Sequence, residues 1–574
     1  MAIKNSSPMR FSPAGLTDAF DASDVFPGAC QQMQNLILGQ TDPSVLTCRP
    51  GVVTLSILSA LGMANPTFIS VQSTAGSRIF GMVSTTTNPG KDEPFIYDTA
   101  TNSLVAISGI TAGNTPTSPV SNGVDWTPPT IASVGVYVIV THPGFNGSGS
   151  NFFGVFDLTN PAAPAWSANN TTTNTLPAVP VAVANFNDRA WFALGTAAYQ
   201  NQMWYTDALL LSVTASTQFL VIGDSGAINA LSGLPMSTTS SGVLGALTVF
   251  KQTQIWQING DTTTTNLAQN FLSLTVGTTM PRSVAQGTLG LYFISSAGPY
   301  YLNPFGALLP ISHNLQNLDP DVQTPFQNAI TPTRWCGAYN TSVYRICGPT
   351  VVNGFQATAD YWFDEHARRW SGPHSFAYDC ASTINDYFVL TSFSNPGLLI
   401  RSDPQSELNS VYTDLGSPYN FLLLSSTFPR TNDMVTKQVV QSQIELGGLP
   451  TTAQYTIQGQ DDQGTVLAQV TFTVGTGKNW GSFLWGDGSS WSSGVANGGG
   501  VWGGGGLWGS AAQGGSNLLW SSSQVRPVHT YPVQWPNPLN FEKMQLSIAG
   551  IAAKNVQIGT FYAQYQRTGW MTQG

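Results

Sequence analysis

The chain has 574 residues, of which only 9% are charged, and its formal net charge is −9. Its length suggests several folding units or one large repeat architecture, since single hydrophobic cores stop growing at about 250–300 residues. The negative charge argues against a sequence-specific DNA-binding protein, because such proteins hold phosphates through Lys and Arg. The same sign would suit a conduit through which DNA slides, provided that acidic residues line the passage.

The residue pattern predicts an all-β protein. Gly (58 residues) and Pro (36 residues) are abundant, which indicates many turns. Strand-length apolar runs recur along the chain, and no segment keeps apolar residues at helical spacing over three or four turns.

The first 60 residues are predicted to form an extended leader, because prolines interrupt them repeatedly. Residues 30–38 have a short apolar period that suits one brief helix. Residues 47–51 read as a turn, and residues 52–55 as a strand that closes a terminal repeat. Residues 1–10 lack a signal-peptide pattern and no run of 18 apolar residues occurs, so we expect folding in the cytoplasm and no stable membrane insertion.

Residues 242–312 contain two consecutive copies of one plan. In residues 246–258, and again in residues 291–302, an apolar run, a short polar turn and an aromatic run follow one another. Both copies are typical of β-hairpins. Their centres, Phe250 and Phe293, lie 43 residues apart, which is close to the period of about 40–50 residues in β-propellers.

The same plan extends in both directions and predicts a β-propeller of about seven irregular blades over residues 61–430. Each copy has an apolar or aromatic centre on its inner strand, and these centres are Phe80, Val138, Phe192, Phe250, Phe293, Tyr344 and Phe388. Several outer strands end in an aspartate that can bond backbone amides in the following turn, namely Asp98, Asp157, Asp207 and Asp364.

Residues 431–574 are predicted to form a smaller β-sandwich, since the blade pattern stops there. Its predicted strands are residues 439–446, 454–460, 466–474, 539–548 and 556–565. A Trp/Gly-rich insertion over residues 477–530 interrupts them. Its tryptophans are the predicted assembly or partner contacts: Trp480, Trp485, Trp491, Trp502, Trp508 and Trp520. Tryptophan offers a large area to a partner or a stacking face to a sugar, and ordering so much glycine favours a partner over a preformed sugar site. A disordered insertion is a third interpretation.

The sequence contains no recognisable catalytic motif, so we predict that the protein is not an enzyme and needs no cofactor. Neither a phosphate-binding loop nor a nucleophile elbow occurs with the residues and spacing that these motifs require. Five cysteines without a Cys-x-x-Cys pair are expected to be free and buried. The densest cluster of titratable residues comprises Asp360, Asp364, Glu365, His366, His374 and Asp379. We expect a solvated blade turn here in preference to a metal site.

Several segments carry a resemblance to the tail nozzle or hub proteins of short-tailed bacteriophages, also called tail tubular protein B or DNA-stabilisation proteins. They are Asn35-Leu36-Ile37 to Arg49-Pro50-Gly51, residues 188–192 with 204–207, residues 245–250 with 255–261, residues 283–312 and, more weakly, residues 556–559. These segments match the family as fold patterns and not as catalytic signatures.

The resemblance implies a structural virion protein of the phage tail. It implies a homohexameric ring below the portal and the tail adaptor ring, which seals and then conducts genomic DNA during ejection without sequence-specific binding. Tail spike, fibre or needle proteins would attach to this ring. The alternative is a carbohydrate-binding or carbohydrate-active β-propeller that uses the Trp/Gly loop, and a host-derived scaffold propeller is a third interpretation.

Overall fold

The computed structural model describes residues 7–18, 28–39, 42–57, 73–74, 78–84, 90–118, 129–239, 242–260, 267–288, 290–312, 322–352, 354–392, 394–404, 411–427, 435–447, 453–462, 464–474, 529–553 and 556–570. These residues are almost entirely in strands, turns and loops. The helical elements among them are α1 (Thr324–Gln327) and a 3-10 turn (Pro332–Arg334). The all-β prediction is confirmed, and the sheets have a β-propeller arrangement.

The described residues of the N-terminal region form strands, and the predicted brief helix is wrong. The strands are β1 (Ser7–Phe11), β2 (Gly15–Leu16), β3 (Ala29–Gln34), β4 (Leu36–Leu38), β5 (Leu46–Cys48) and β6 (Val52–Ile57). The predicted helix coincides with β3 and β4, which Asn35 separates with a φ of 58°. Cys30, Met33 and Leu36 do have helical spacing, but all three are buried against other sheets.

Six blades have four antiparallel strands each; five of them are separate four-stranded sheets, and the sixth is part of a ten-stranded sheet. The first blade contains β7 (Ser73–Thr74), β8 (Arg78–Ser84), β9 (Asp92–Asp98) and β10 (Ser103–Val105), and the second contains β11 (Thr130–Val134), β12 (Tyr137–Thr141), β13 (Phe153–Asp157) and β14 (Ala165–Asn169). The third contains β16 (Pro180–Phe186), β17 (Arg189–Leu194), β18 (Gln202–Tyr205) and β20 (Phe219–Val221). Two short strands, β15 (Thr172–Thr173) and β19 (Ser212–Val213), lie outside these blades. The short strands β15 and β19 pair with each other in parallel.

The next three blades follow the same order along the chain. They contain β21 (Ile228–Thr239), β22 (Gly242–Lys251), β23 (Ile255–Asn259) and β24 (Ala268–Ser273); β25 (Ala285–Gln286), β26 (Leu291–Ser295), β27 (Gly298–Leu302) and β28 (Leu308–Pro310); and β29 (Cys336–Asn340), β30 (Val343–Val352), β31 (Phe355–Asp364) and β32 (Arg369–His374). Both hairpins predicted in residues 242–312 are confirmed, because β22 pairs with β23 and β26 with β27.

Neighbouring blades pack through the predicted aromatic centres. Phe80 meets Phe156 with ring centroids 5.2 Å apart, and Phe250 meets Phe293 at 5.0 Å. Two of the predicted aspartate turns also form as expected. The Oδ1 atom of Asp98 accepts a hydrogen bond from the N–H of Ala100 at 2.9 Å, and the Oδ1 atom of Asp157 accepts one from the N–H of Thr159 at the same distance. The first strands of neighbouring blades contact one another, which places them innermost in the propeller.

A composite sheet follows the sixth blade. It contains β33 (Cys380–Ile384), β34 (Tyr387–Ser392), β35 (Asn395–Ser402), β36 (Thr413–Asp414) and β37 (Ser417–Pro418). Strand β6 lies between β35 and β36, with Ile400 opposite Thr54. Residues 52–55, predicted as a closing strand, therefore pair with a sheet more than 340 residues later.

The remaining strands build two further layers that share one core. They are β38 (Asn420–Ser425), β39 (Val435–Gly447), β40 (Ala453–Gln460), β41 (Val466–Val474), β42 (His529–Val533), β43 (Asn540–Phe541), β44 (Gln545–Ile551) and β45 (Gln557–Trp570). Strands β38, β44, β40 and β41 continue the sheet of the sixth blade through β3. Strands β39, β42, β43 and β45 form the other sheet with β1, β4 and β5.

The predicted seven blades and the predicted C-terminal sandwich are not confirmed. Six blades are built from neighbouring strands, and the next sheet borrows β6 from the N-terminal region. The C-terminal strands do not stand alone, because one of their sheets includes the sixth blade and the other includes N-terminal strands. The boundaries at residues 60 and 430 stay predictions.

Candidate functional site

The predicted titratable cluster separates into three places. Asp360 and His374 are buried. Asp364 is the last residue of β31, and Glu365 and His366 lie in the turn that follows it. Asp379 accepts a hydrogen bond from Arg334 at 2.8 Å. Within the described part of the chain, no group of three or more His, Cys, Asp or Glu side chains could hold a metal ion.

Asp360 belongs to a buried ion pair between the sixth blade and the composite sheet. The Nε atom of Arg345 donates to both carboxylate oxygens at 3.1 and 3.0 Å, and the Trp362 indole donates to Oδ2 at 2.7 Å. Arg345 also donates to the Ser402 hydroxyl at 2.7 Å, and its guanidinium lies 4.7 Å from the ring centroid of Tyr378. With this many partners the pair is a structural connection and has no free position for a ligand.

Asn35 and Arg49 form the centre of a second buried network, which we call the Asn35–Arg49 clamp. The Nε atom of Arg49 donates to Oδ1 of Asn35 at 2.9 Å. The backbone N–H of Asn35 donates to Nδ1 of His374 at 3.0 Å, and its side-chain amide donates to the carbonyl of Asn420 at 2.6 Å. The clamp therefore joins the N-terminal region, the sixth blade and the start of the C-terminal strands.

The guanidinium NH groups of Arg49 hold the end of β36 in the composite sheet. Its NH1 and NH2 atoms donate to the two carboxylate oxygens of Asp414 at 3.0 and 2.5 Å. The Tyr419 ring lies 4.3 Å below the guanidinium, and its hydroxyl donates to the Arg49 carbonyl. Burial lowers the pKa of His374 well below its ordinary value, and Arg49 and Arg345 lower it further. His374 thus stays neutral and accepts a hydrogen bond from the backbone N–H of Asn35.

A groove lies beside the turn that follows β31. It has a volume of about 230 Å³ and is lined by Gly39, Pro43, Thr341, Ser342, Asp364, His366 and Ala367. Burial raises the pKa of Asp364, although its Oδ1 accepts the Ala367 N–H at 2.8 Å. A carboxyl group of raised pKa beside an exposed histidine is the most chemically competent pair that this groove offers.

Glu365, next to the groove, is held by two tyrosines. Its carboxylate accepts hydrogen bonds from the hydroxyl of Tyr292 and, at 2.5 Å, from that of Tyr339. The two rings stack with centroids 5.4 Å apart. Burial is the largest cause that raises the pKa of both tyrosines, and the Glu365 charge adds to it. Glu365 is therefore fixed by this tyrosine pair instead of being a freely solvated turn residue.

The innermost strands carry no charged residue. These strands are β7, β11, β16, β21, β25, β29 and β33, and their sequences contain neither Asp and Glu nor Lys and Arg. Polar side chains here tie neighbouring blades together, as when the Asn185 amide donates to the Ser133 carbonyl at 2.5 Å. These described strands thus present no acidic side chain toward the propeller axis.

One buried ionisable pair, which His142 forms with Asp92, was missed in the sequence analysis. The Nε2 atom of His142 lies 3.1 Å from Oδ2 of Asp92, and its Nδ1 accepts the Gly144 N–H at 2.9 Å. Fifty residues separate the two side chains, so no local spacing could reveal them.

The six predicted tryptophan contacts lie in residues 475–528, outside the described residues.

All five cysteines are free and buried. Cys336 and Cys347 face each other across the β29–β30 hairpin. Burial raises the pKa of Cys30 and of Cys48 to about 12, so these thiols stay protonated. None of the described helices is long and apolar enough to cross a membrane.

No family model and no curated protein matches this sequence. Among solved structures, the chain is similar to an exo-β-1,3-galactanase from Phanerochaete chrysosporium, with 9% identity, a TM-score of 0.25 and coverage of 80% of this chain and 98% of the other. It is similar to a glycoside hydrolase family 43 arabinoxylan arabinofuranohydrolase from Bacillus subtilis, with 7% identity, a TM-score of 0.23 and coverage of 90% and 99%. A post-proline cleaving enzyme from Rickettsia typhi has 11% identity, a TM-score of 0.29 and coverage of 62% and 57%.

The prediction that the chain is not an enzyme is corrected by these comparisons, because glycoside hydrolases stand among the matched structures. The TM-scores are too low for the likeness to argue for any particular activity.

Proposed function

We propose that the chain is a structural subunit of the tail nozzle or hub of a short-tailed bacteriophage. In this role, copies of the chain, six in the family that it resembles, form a ring that seals and then conducts genomic DNA and that anchors tail appendages. The observation that carries the proposal is the Asn35–Arg49 clamp. The resemblance to this family includes Asn35 and Arg49, and in the structure both are buried at a junction of three regions. A rigid junction of this kind suits a load-bearing component.

A seven-bladed ring with an attached sandwich is the finer architecture that we infer. The composite sheet would be the seventh blade, since it packs on the first blade through one buried cluster that includes Ile79, Phe95, Tyr387 and Val389. On its other side it packs on the sixth blade through Trp362 and neighbouring residues. The two C-terminal layers, which share a core, would be the sandwich.

The uncharged innermost strands bear on where DNA would pass. DNA slides without sticking where acidic residues repel its phosphates, and the described axis of one propeller has none. In this proposal the conduit is therefore the opening of the ring formed by several copies. The adaptor ring above it, and the spikes, fibres or needle attached to it, are implied by the resemblance alone.

Imaging of purified phage particles tests the proposed function. A peptide tag at a permissive terminus, decorated with gold-labelled antibody, should mark one end of the tail, and the chain should be present at a fixed ratio to other tail proteins by mass spectrometry. A tag placed on an unrelated cytoplasmic protein from the same cells serves as the control. Particles that infect normally and contain no copy of the chain would exclude this role.

A carbohydrate-binding or carbohydrate-active propeller is the second candidate, and the groove at Asp364 favours it. Glycoside hydrolysis needs one carboxylic acid whose pKa is raised so that it can protonate the leaving group. Asp364 has such a shift because it is partly buried. His366 and the backbone at Thr341 and Ser342 line the same groove.

A glycan array and a hydrolysis screen test this candidate. Asp364→Asn and His366→Ala should abolish a signal that arises in the groove, whereas Asp386→Asn, in another exposed turn, should leave it intact. Trp485→Ala and Trp491→Ala test the Trp/Gly loop in the same assays. A signal that survives all four of these substitutions would exclude both the groove and the Trp/Gly loop as its site, and no signal with the unmodified chain would remove carbohydrate from the candidates.

A further inference from the structure

Four large apolar side chains are exposed together at the outer edge of the fourth and fifth blades. Phe271 (62% exposed) lies on β24 and Leu274 (58%) follows it, whereas Phe305 (80%) lies in the β27–β28 turn and Leu309 (41%) on β28. We call these four residues the apolar rim. Both β24 and β28 are the outermost strands of their blades.

The two halves of the apolar rim are contiguous. Gly306, next to Phe305, lies against Leu272, next to Phe271, so closely that a Cβ atom on the glycine would be 3.1 Å from the leucine. Leu272 and Leu308 both pack on the buried core between the two blades. The outer edges of the two blades therefore meet at Gly306 and Leu272, and the four rim residues lie along these two edges.

The sequence segment that carries the rim contains little charge. Between residues 262 and 318 the sequence contains a single charged residue, Arg282, although the whole chain carries a net charge of −9. Two copies of a chain with this net charge repel each other over most of their surfaces. The rim region is where they can approach without that repulsion.

The area of the rim fits an interface between proteins. A large aromatic side chain has about 150–250 Å² of surface, so the four exposed side chains offer on the order of 450 Å². A stable interface takes about 800 Å² from each partner, and the polar rim of an interface commonly supplies the remainder. Outermost strands with exposed apolar residues are also a liability unless something covers them.

We propose that the apolar rim is the surface by which one copy of this chain binds the next copy. The inference deepens the proposed ring-forming role and rests on it for the expectation that copies associate. It goes further by assigning the contact to Phe271, Leu274, Phe305 and Leu309, on the outer edge of the propeller and away from the Asn35–Arg49 clamp.

Light scattering coupled to size exclusion, over a hundredfold range of protein concentration, tests the assignment. The unmodified chain should form a multimer, and Leu274→Glu combined with Phe305→Glu should raise the concentration needed for association at least tenfold. Leu209→Glu combined with Leu210→Glu is the matched control, since both leucines are about half exposed on another blade, and it should associate normally. A chain that is monomeric throughout, or rim variants that associate like the control, would overturn the proposal.

A labelling experiment identifies what covers the rim. Because all five native cysteines are buried, Phe305→Cys introduces one reactive thiol, and Leu209→Cys supplies the reference. Reaction with a maleimide should slow at high protein concentration for position 305 alone. Protection at position 305 that persists in the monomer would mean that the same chain covers the rim, which contradicts the proposal.

The two proposals fail in different ways. Copies that associate through the rim while phage particles contain no copy of the chain would exclude the nozzle role and leave the rim assignment standing. Rim variants that enter particles and rings at normal ratios would exclude the rim assignment and leave the nozzle role standing.

Discussion

Arg49 and Arg345 show how a chain with few charged residues uses some of them internally. Each guanidinium is fully buried, pairs with one aspartate and lies over an aromatic ring. The rigid planar fork of arginine suits such sites, because it can bond a carboxylate and a second acceptor at once. Both pairs lie where the sixth blade meets another part of the molecule.

Arg49→Met is expected to lower the free energy of unfolding by about 3 kcal/mol, because it leaves the Asp414 carboxylate and the Asn35 amide without their partner. Arg401→Met, which removes a half-exposed pair with Asp403, should cost less than about 1 kcal/mol. Urea unfolding followed by tryptophan fluorescence measures both. Equal losses in the two variants would show that the clamp is not a stabilising junction.

Stability should fall as the pH drops below about 6.5, the ordinary pKa of histidine. Burial lowers the pKa of His142 and His374 in the folded state, so the unfolded chain binds protons first and is favoured in acid. Each histidine contributes a slope of about 1.4 kcal/mol per pH unit in this range. The stability present above pH 6.5 is therefore lost on acidification.

Replacement of one histidine isolates this effect. His142→Gln keeps a donor toward Asp92 and should make the dependence of unfolding free energy on pH, measured between pH 7 and 5.5, visibly shallower. His366→Gln removes an exposed histidine and should leave the slope as it was. Identical slopes in all three proteins would rule out a role for buried His142.

Residue alternation explains one error at the candidate site. Asp360 was grouped with turn residues, although it shares a strand face with the aromatic Trp362, two positions on, and both are buried. A period-2 reading of β31 predicts that burial. The Asp92–His142 pair has no such local signal, because its two members come from different blades.

At the scale of single elements, local pairing was predictable and long-range pairing was not. The β22–β23 and β26–β27 hairpins join strands through short turns, so their residues reveal both strand and partner. The predicted strand over residues 466–474 coincides with β41, whereas residues 539–548, predicted as one strand, are split between β43 and β44. Nothing local indicates that β3 lies between β32 and β38.

Removal of residues 1–57 is expected to prevent folding. It deletes β6 from the composite sheet and β3 from the sheet that joins the sixth blade to β38. A loss of this size exceeds the net stability of a typical protein, which is about 5–15 kcal/mol. Soluble yield, circular dichroism and resistance to protease measure the outcome. A chain that starts at residue 7 is the control and should fold, and a folded chain that starts at residue 58 would show that the N-terminal strands are dispensable.

For the whole molecule, the continuity of sheets and core outweighs any division into domains. One buried cluster runs from Tyr292 and Tyr344 in the fifth and sixth blades to Ile548, Ile444 and Phe561 in the C-terminal strands. Separate domains have their own cores and few contacts between them. The propeller and the C-terminal sheets should therefore lose their structure together.

Calorimetry tests this coupling. We expect one main heat-absorption peak, and Ile444→Ala, which removes about 3 kcal/mol of buried contact, should move the entire peak to lower temperature. Val221→Ala removes an apolar side chain that is about half exposed and should barely move it. Two peaks, of which Ile444→Ala moves only one, would identify independent domains.

The pairing of β1 with β45 has a consequence for synthesis of the chain. Ser7 lies opposite Tyr565, and the hydroxyls of Ser12 and Thr560 bond across 548 positions of sequence. Strand β1 therefore stays without its final partner until the ribosome has delivered more than 560 residues, and such distant pairings are slow to form. A prematurely terminated product lacks β45, so the last strand to be made decides whether the first one has a place in a sheet.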